Sequence, residues 1–245
     1  TNLDLTMARR GRKERPRAGD DGMPPVAPAG AIGGQYKPLA EADIVRIADA
    51  AKTVLERTGI EVMPSPCRDA FAKAGCRIDS DRNRVYIDAK MVDEALALTR
   101  SEVLFAGRTT AHDLNLGGSR VYMGSGGQAV NVLDLNGQVR ESRLADNYHI
   151  GRLVDRLDHI HFFCRPVVSR DIDTEIIDVN QFYASLAATE KHIMANAYVA
   201  DQVSDLRRLG EILTGGPEAL SERPVMSFTN CWTVSPLRYA TETVE

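Results

Sequence analysis

Three apolar stretches decide the fold of this chain, and they read Ile-His-Phe-Phe-Cys at residues 160–164, His-Ile-Met-Ala-Asn at 192–196 and Val-Met-Ser-Phe-Thr-Asn at 225–230. Ile160, Ile193 and Val225 follow one another at steps of 33 and 32 residues. Such a step accommodates a strand, a loop, a helix of about 12–15 residues and a return loop. The sequence therefore predicts βα units, whose strands pair in parallel.

Polar or reactive residues follow each of these strands. Cys164 and Arg165 end the first strand, Asn196 ends the second, and Asn230 precedes Trp232 after the third. In parallel α/β sheets and barrels the carboxyl ends of the strands carry the site. We therefore expect the chemistry at this edge of the sheet.

The composition is that of an ordinary α/β protein of 245 residues, with 43% apolar residues and a net charge of −4. It indicates neither a nucleic-acid partner nor a membrane partner. No apolar run reaches the roughly 18–20 residues that span a bilayer, and no signal peptide is recognisable, so we expect a cytoplasmic protein. The four cysteines have no Cys-x-x-Cys spacing, which favours reduced thiols over a disulfide framework or a zinc ribbon.

Three segments of the chain differ in pattern. Residues 1–38 predict an extended basic arm, dense in Arg, Gly and Pro. Such an arm can neutralise phosphates, but in an otherwise acidic chain we favour an arm that lies across its own domain or a neighbouring subunit. Residues 39–118 predict a small α/β cap. Residues 119–245 predict the first half of a parallel TIM-type (β/α)8 barrel.

Helical periodicity begins the cap at Ala40, with apolar residues at spacings of three and four as far as Leu55. Pro66 and Asp88 open two further helices, and a hairpin is predicted between them. The half barrel begins with Val121–Met123 as its first inner strand, and its last βα unit is just begun at Ser235–Tyr239. Four strands leave two open edges, which the remaining polypeptide or a partner has to cover.

A glycine-rich turn, Gly124 to Gln128, follows the first inner strand. Such a turn lets a ligand approach the backbone, because no side chain holds the ligand off. The spacing is not that of a dinucleotide-binding loop, and no helix follows directly. A ligand surface and a tight structural bend therefore both remain open. Asn136-Gly137 predicts a hairpin directly after this turn.

Four stretches of the chain resemble the trimethylamine methyltransferase family. They are Gly-Gly-Gln-Tyr-Lys-Pro-Leu at 33–39, Val-Leu-Glu-Arg-Thr-Gly-Ile-Glu-Val at 54–62, the segment 124–134 and Ser-Pro-Leu at 235–237. The likeness extends from about Arg9 to Tyr239. It implies an eight-stranded α/β barrel that moves a methyl group from a methylated amine to the cobalt of a corrinoid (cobalamin) carried on a separate small protein.

The resemblance implies trimethylamine as the substrate or, in relatives without pyrrolysine, a quaternary amine such as glycine betaine, which we favour. The family carries pyrrolysine or its replacement in the second half of the barrel. That position lies beyond Glu245, so the resemblance covers the N-terminal half only and the catalytic residue stays unknown. We expect the cognate corrinoid protein and a small methylated amine as partners, and a homo-oligomer.

Aromatic faces and a nearby carboxylate are the natural ligands of a quaternary ammonium, because it has no N–H to donate. Trp232 and Tyr198 each lie just past a strand and are candidate walls of such a cage, with packing in the core or an interface as the alternative. Asn196 and Asn230 hold equivalent positions in successive units. There they would hydrogen-bond a substrate carboxylate or each other.

Arg165 would pair with a betaine carboxylate through two hydrogen bonds. The alternative for this side chain is an ion pair with Asp171 or Glu175 across the loop. The glycine-rich turn adds three candidates for the substrate or corrinoid surface, which are Gly126, Gly127 and Gln128.

A zinc site built from His161, Cys164 and Cys231 is disfavoured, because strand alternation puts His161 and Cys164 on opposite faces. We predict no metal and a buried, hydrogen-bonded His161. The rival to an enzyme is a non-catalytic half barrel that binds betaines or assembles with a partner. An aldolase-like barrel is disfavoured because no lysine follows Lys191.

Overall fold

The computed structural model describes residues 28–241, so the basic run of the predicted arm lies outside the described residues. The strands are β1 (Ala31–Ile32), β2 (Ile60–Glu61), β3 (Arg77–Asp79), β4 (Arg84–Tyr86), β5 (Glu102–Phe105), β6 (Leu114–Gly117), β7 (Arg120–Val121), β8 (Asn131–Leu133), β9 (Val139–Glu141), β10 (Phe163–Cys164), β11 (Ile193–Ala195), β12 (Met226–Phe228), β13 (Thr233–Val234) and β14 (Arg238–Tyr239). The helices are α1 (Glu41–Arg57), α2 (Pro66–Lys73), α3 (Ala89–Ala97), α4 (Leu144–Val154), α5 (Ile177–Ala188), α6 (Val203–Thr214) and α7 (Pro217–Glu222).

The parallel sheet predicted from the three apolar stretches is present. Strands β10, β11 and β12 are neighbours in that order and pair in parallel. Ile193 lies in register with Phe163 on one side and with Met226 on the other. Helix α5 connects the first two strands, and α6 and α7 lie between the second and third. The predicted βα units are therefore confirmed.

The apolar core of this sheet lies on the face covered by helices. It consists of the buried side chains Val154, Phe163, Phe182, Leu186, Ile193, Ala195, Leu206 and Met226. Burying one large apolar side chain stabilises a fold by about 1.5–3 kcal/mol. The core therefore ties α4, α5 and α6 to the sheet and fixes where each strand ends.

A fourth, irregular strand lies beside β10, but it is displaced from the predicted first inner strand at Val121–Met123. Strand β7 pairs antiparallel with β1. The parallel contact begins at Met123, whose carbonyl accepts the His161 N–H at 2.6 Å. It continues through a parallel bridge between Gly124 and Phe162. The strand that joins the parallel sheet is therefore the glycine-rich turn itself.

The prediction that Ser235–Tyr239 begins another βα unit is wrong. Strands β13 and β14 form an antiparallel hairpin, and β14 pairs with β2 in a five-stranded sheet of order β13-β14-β2-β4-β3. The Glu61 N–H donates to the Leu237 carbonyl at 2.8 Å. Leu237 and Tyr239 pack against the second apolar core, which consists of Ile60, Val62, Cys76 and Val85. The described residues are a mixed α/β structure without a closed barrel.

Helix α1 matches the predicted helix, yet most of its apolar stripe is exposed within residues 28–241. Ile44, Ile47 and Val54 are 47%, 58% and 41% exposed. Helix α1 contacts α3 through an ion pair between Lys52 and Asp93 at 2.6 Å, and Leu55 packs against the second apolar core. Across the described part of the chain, no helix is both long and apolar enough to cross a membrane.

The amino ends of the parallel strands are covered by the segment that joins β5 to β6. Arg223 lies just before β12 and forms two hydrogen bonds with the Asp113 carboxylate, at 2.7 and 2.8 Å. The Ala106 N–H donates to the Pro224 carbonyl at 3.3 Å. These contacts tie the segment to the start of β12, opposite the edge where the site is expected.

Lys191 braces the same end of the sheet. Its ammonium is buried and donates to the carbonyls of Val154 and Leu157, both at 2.7 Å, and to that of Ile160. Burial lowers the pKa of Lys191. Lys191 thereby holds together the end of α4 and the turns that follow it, where the Val154 and Leu157 carbonyls also accept backbone N–H groups.

His192, the next residue, is buried, and its surroundings favour the neutral imidazole. Its ring stacks on Phe105 with the centroids 4.1 Å apart. Nδ1 lies 3.1 Å from the Ala106 carbonyl oxygen, and Nε2 lies 2.9 Å from the Ser227 hydroxyl. Burial lowers the pKa of His192 from 6.5 to about 4.

We predict that acid destabilises the chain through His192. Because the folded-state pKa is lowered, this stabilisation is complete above pH 6.5 and is lost as the pH falls towards 4. The loss is on the order of 3 kcal/mol in the free energy of unfolding. Urea unfolding at several pH values measures it.

His192→Gln is the test variant, and it should flatten this pH dependence. Phe105→Leu is the companion variant: it keeps the imidazole but removes the ring that helps to bury it, so it should lower stability and reduce the slope without abolishing it. An unchanged slope in His192→Gln would contradict the assignment.

Candidate functional site

Four of the residues predicted for the site meet in one hydrogen-bonded cluster at the carboxyl ends of the parallel strands. Arg165 follows β10, Asn196 and Tyr198 follow β11, and Gln128 ends the glycine-rich turn. Gln128 Nε2 donates to Asn196 Oδ1, and the Tyr198 hydroxyl donates to Gln128 Oε1 at 2.7 Å. We call these four residues the carboxyl-edge cluster.

Arg165 is the innermost member of the carboxyl-edge cluster. It is 1% exposed, Nη2 donates to the Tyr198 hydroxyl at 3.0 Å, and Nη1 donates to the Asn196 carbonyl at 3.4 Å. Nε is buried and has no hydrogen-bond partner within residues 28–241. A buried polar group without a partner costs about 1–3 kcal/mol.

The alternative partners of Arg165 are not used. Within residues 28–241 Arg165 forms no ion pair. Asp171 instead accepts the Leu144 N–H at 2.8 Å and so stabilises the start of α4. Burial lowers the pKa of Arg165, while nearby Tyr198 and Asp178 act in the opposite direction. A guanidinium held in this way is suited to an anionic ligand.

Gln128 reaches the cluster from a conformation that a side chain rarely adopts. Its φ is 71°, in the left-handed region that favours glycine. Such a conformation costs on the order of 1–3 kcal/mol and persists where the surroundings enforce it. Here its backbone is held to β10, because the Gln128 N–H donates to the Arg165 carbonyl at 3.3 Å. Both amide atoms of its side chain are then delivered to Asn196 and Tyr198.

The glycines of the turn have different roles. At Gly124 a Cβ would overlap the Phe162 ring, so the close approach of the irregular strand requires glycine. At Gly127 a Cβ would lie 3.2 Å from Cys164 Sγ. Gly126 faces open space, with nothing within 4 Å of a Cβ. Gly126 is therefore the member of the predicted set where the backbone is accessible to a ligand.

The structure does not join Trp232 or Asn230 to the carboxyl-edge cluster. Trp232 is 56% exposed, and its carbonyl accepts the Ala240 N–H at 2.9 Å. Asn230 is half-buried in the same loop between β12 and β13. Within residues 28–241, no hydrogen bond or ring contact links either side chain to Arg165 or Tyr198. Their role at the site stays a prediction.

Asp178 is a polar contact of the cluster that the sequence analysis missed. It lies in the first turn of α5 and is fully buried. Its Oδ2 accepts the N–H groups of Tyr198 at 2.6 Å and Val199 at 2.8 Å. Acidic residues are common at helix starts, so the sequence offered no signal that sets Asp178 apart.

The residues weighed for zinc are used in other ways. His161 is buried, and its Nδ1 accepts the Met123 N–H at 2.8 Å, which confirms the prediction of a buried, hydrogen-bonded histidine. Burial raises the pKa of the Cys164 thiol. Across residues 28–241, no group of three or more His, Cys, Asp or Glu side chains is arranged to hold a metal ion.

Comparison with known proteins shows the family to which this chain belongs. The model of the trimethylamine methyltransferase (MTTB) family matches residues 8–245. The chain belongs to the trimethylamine methyltransferase family. The resemblance found in the sequence is therefore confirmed, and methyl transfer from methylated amines is the activity for which the family and its relatives are named.

Three curated relatives of the chain are named for two different amines. The trimethylamine methyltransferase MttB of Desulfitobacterium hafniense is 27% identical over 82% of this chain and 40% of its own length. The glycine betaine methyltransferase of Desulfitobacterium hafniense is 24% identical over 84% of this chain and 42% of its own. The trimethylamine methyltransferase MttB1 of Methanosarcina mazei is 28% identical over 77% and 39%. The chain thus spans about 40% of the length of these relatives.

Proposed function

We propose that this chain is the amine-binding part of a methyltransferase that moves a methyl group from a carboxylated quaternary amine, such as glycine betaine, to the Co(I) of a corrinoid on a partner protein. The observation that carries the proposal is Arg165, a buried guanidinium with a free Nε at the carboxyl ends of the parallel strands. Trimethylamine has no carboxylate to offer it. One relative is named a glycine betaine methyltransferase.

The fold agrees with a place in a larger barrel. Three parallel strands and the irregular strand at Gly124 lie side by side, with the cluster at their carboxyl ends. Enzymes with TIM-type barrels carry their sites at this end. We propose that the sheet is part of such a barrel, and that the catalytic residue lies outside this sequence.

The proposed reaction requires no general acid from the protein. When the methyl group is attacked, the carbon–nitrogen bond breaks and its electron pair stays on nitrogen, so the amine leaves without needing a proton. The corrinoid supplies the nucleophile that takes the methyl group. The task of this chain is to hold the cation in line for attack.

Each member of the cluster has a part in that task. Arg165 offers Nε to the substrate carboxylate, while Asn196 and Gln128 hold each other and Tyr198. The Tyr198 ring is 46% exposed and lies beside the Arg165 guanidinium, which is 5.0 Å from its centroid. An exposed aromatic face attracts a quaternary ammonium. Gly126 leaves the backbone open where the corrinoid would approach.

The proposal predicts loss of the Co(I) absorbance when the chain, within its natural polypeptide, is mixed anaerobically with reduced corrinoid and glycine betaine. Trimethylamine should give a much smaller loss, since it leaves Arg165 without its ligand. Binding of betaine without any loss of Co(I) would contradict methyl transfer and favour a binding protein. Loss with trimethylamine alone would contradict the carboxylated substrate.

Arg165→Gln is predicted to raise KM for glycine betaine by about 10–100-fold, the effect of losing a hydrogen bond between charged groups. The value of kcat should change little, because the carboxylate is held equally in the ground state and the transition state. Steady-state kinetics over a range of betaine concentrations measures both.

Arg170→Gln is the matched control for this variant. Arg170 lies on the same loop, but it is paired with Glu141 at 3.0 Å and is about half-exposed. Its loss should leave KM unchanged. Equal effects of the two substitutions on KM would show that Arg165 does not bind the carboxylate.

A further inference from the structure

The segment that carries Asn196 and Tyr198 has no strand or helix of its own. It runs from the end of β11 to the turn at Ala200–Gln202, which precedes α6. Its shape is therefore set by side chains that reach it from other elements. Besides Arg165 and Gln128 of the carboxyl-edge cluster, the first turn of α5 contacts this segment.

Two buried side chains bridge this segment and α5. Asp178 takes the N–H groups of Tyr198 and Val199 on one carboxylate oxygen. Gln202 lies at the end of the segment and reaches back to the start of α5. Its Oε1 accepts the Val179 N–H at 3.1 Å, and its Nε2 donates to the Glu175 carbonyl at 2.7 Å. Hydrogen bonds to a carboxylate are stronger than those between neutral groups. Asp178 is thus the stronger of the two braces.

Asp178 also acts on Arg165 electrostatically, without a direct contact. Its charge favours the charged form of the guanidinium, but no ion pair joins the two residues. Asp178 Oδ1 and Arg165 Nε are both buried without a hydrogen-bond partner in the described residues. A carboxylate committed to two backbone N–H groups compensates the arginine from a distance and leaves its Nε unpaired.

We propose that Asp178 is the positioning residue of the ligand site, because it places the Tyr198 hydroxyl between Arg165 and Gln128 and balances Arg165 without occupying it. The ligand side of this inference rests on the proposed function, in which a substrate carboxylate takes Arg165 Nε. The brace itself is a property of the ligand-free chain and can be tested without a substrate.

The chain offers a matched control at the opposite end of α5. Asp155 Oδ1 accepts the Thr189 hydroxyl and the Glu190 N–H, both at 3.0 Å. It therefore braces a loop as Asp178 does, but near the amino ends of the strands. If Asp178 only stabilises the fold, the two aspartates should behave alike towards ligand.

Three variants separate positioning from stability, with glycine betaine binding measured by calorimetry. Asp178→Ala releases Tyr198 and should weaken binding by about tenfold or more. Asp178→Asn keeps an oxygen for both N–H groups but removes the charge that balances Arg165, so binding should weaken by less than in Asp178→Ala. Asp155→Ala should leave binding unchanged.

Hydrogen exchange of the Tyr198 and Val199 amides in the ligand-free chain gives the second readout. Protection should be lost in Asp178→Ala and kept in Asp178→Asn and Asp155→Ala. Unchanged protection in Asp178→Ala would overturn the proposal whatever the ligand does. Equal weakening of betaine binding by Asp178→Asn and Asp178→Ala, or by Asp155→Ala and Asp178→Ala, would also overturn it.

The same experiment distinguishes a failure of the proposed function. If the unsubstituted chain binds neither glycine betaine nor trimethylamine, the proposed function and the ligand role of Asp178 fail together. Lost amide protection in Asp178→Ala would then still establish Asp178 as the brace of Tyr198.

Discussion

Parallel pairing between β10, β11 and β12 is the constraint on which the site depends. Parallel strands in register end at one edge, so the residues that follow them become neighbours however far apart they lie in the sequence. The apolar core on the helical face fixes the strands, and Lys191 and Arg223 tie down their amino ends. The groups beyond the carboxyl ends are therefore placed by a rigid support.

Two local costs fall together at that edge. Arg165 is buried with an unsatisfied Nε, and Gln128 holds a backbone conformation suited to glycine. Neither the unpaired Nε nor the left-handed backbone stabilises the fold. A methionine at position 165 would avoid the first cost, and a glycine at position 128 would avoid the second. Natural chains tend to break local rules of this kind where function requires it. A carboxylate ligand would satisfy the arginine and make the arrangement favourable.

The sequence predicted what periodicity and strand spacing determine. The βα units and the meeting of Arg165, Asn196, Tyr198 and Gln128 followed from the repeat near 33 residues and from the rule that parallel strands end together. The closing hairpin did not follow, because β14 pairs with a strand far back in the sequence, and short strands carry no local mark of their partner.

Asp178 escaped prediction for a related reason. An aspartate in the first turn of a helix is favourable in any protein, and only the fold shows that it faces the loop after β11. The periodicity of α1 correctly predicted a helix, but periodicity cannot say what the stripe packs against. Ile44 and Ile47 are exposed in the described part of the chain.

The most direct test of this account is a crystal structure of the chain with glycine betaine bound. The account predicts a betaine carboxylate oxygen within hydrogen-bond distance of Arg165 Nε, with the ammonium against the exposed face of Tyr198. Betaine bound elsewhere, with Arg165 Nε still unpaired or satisfied by water, would contradict it.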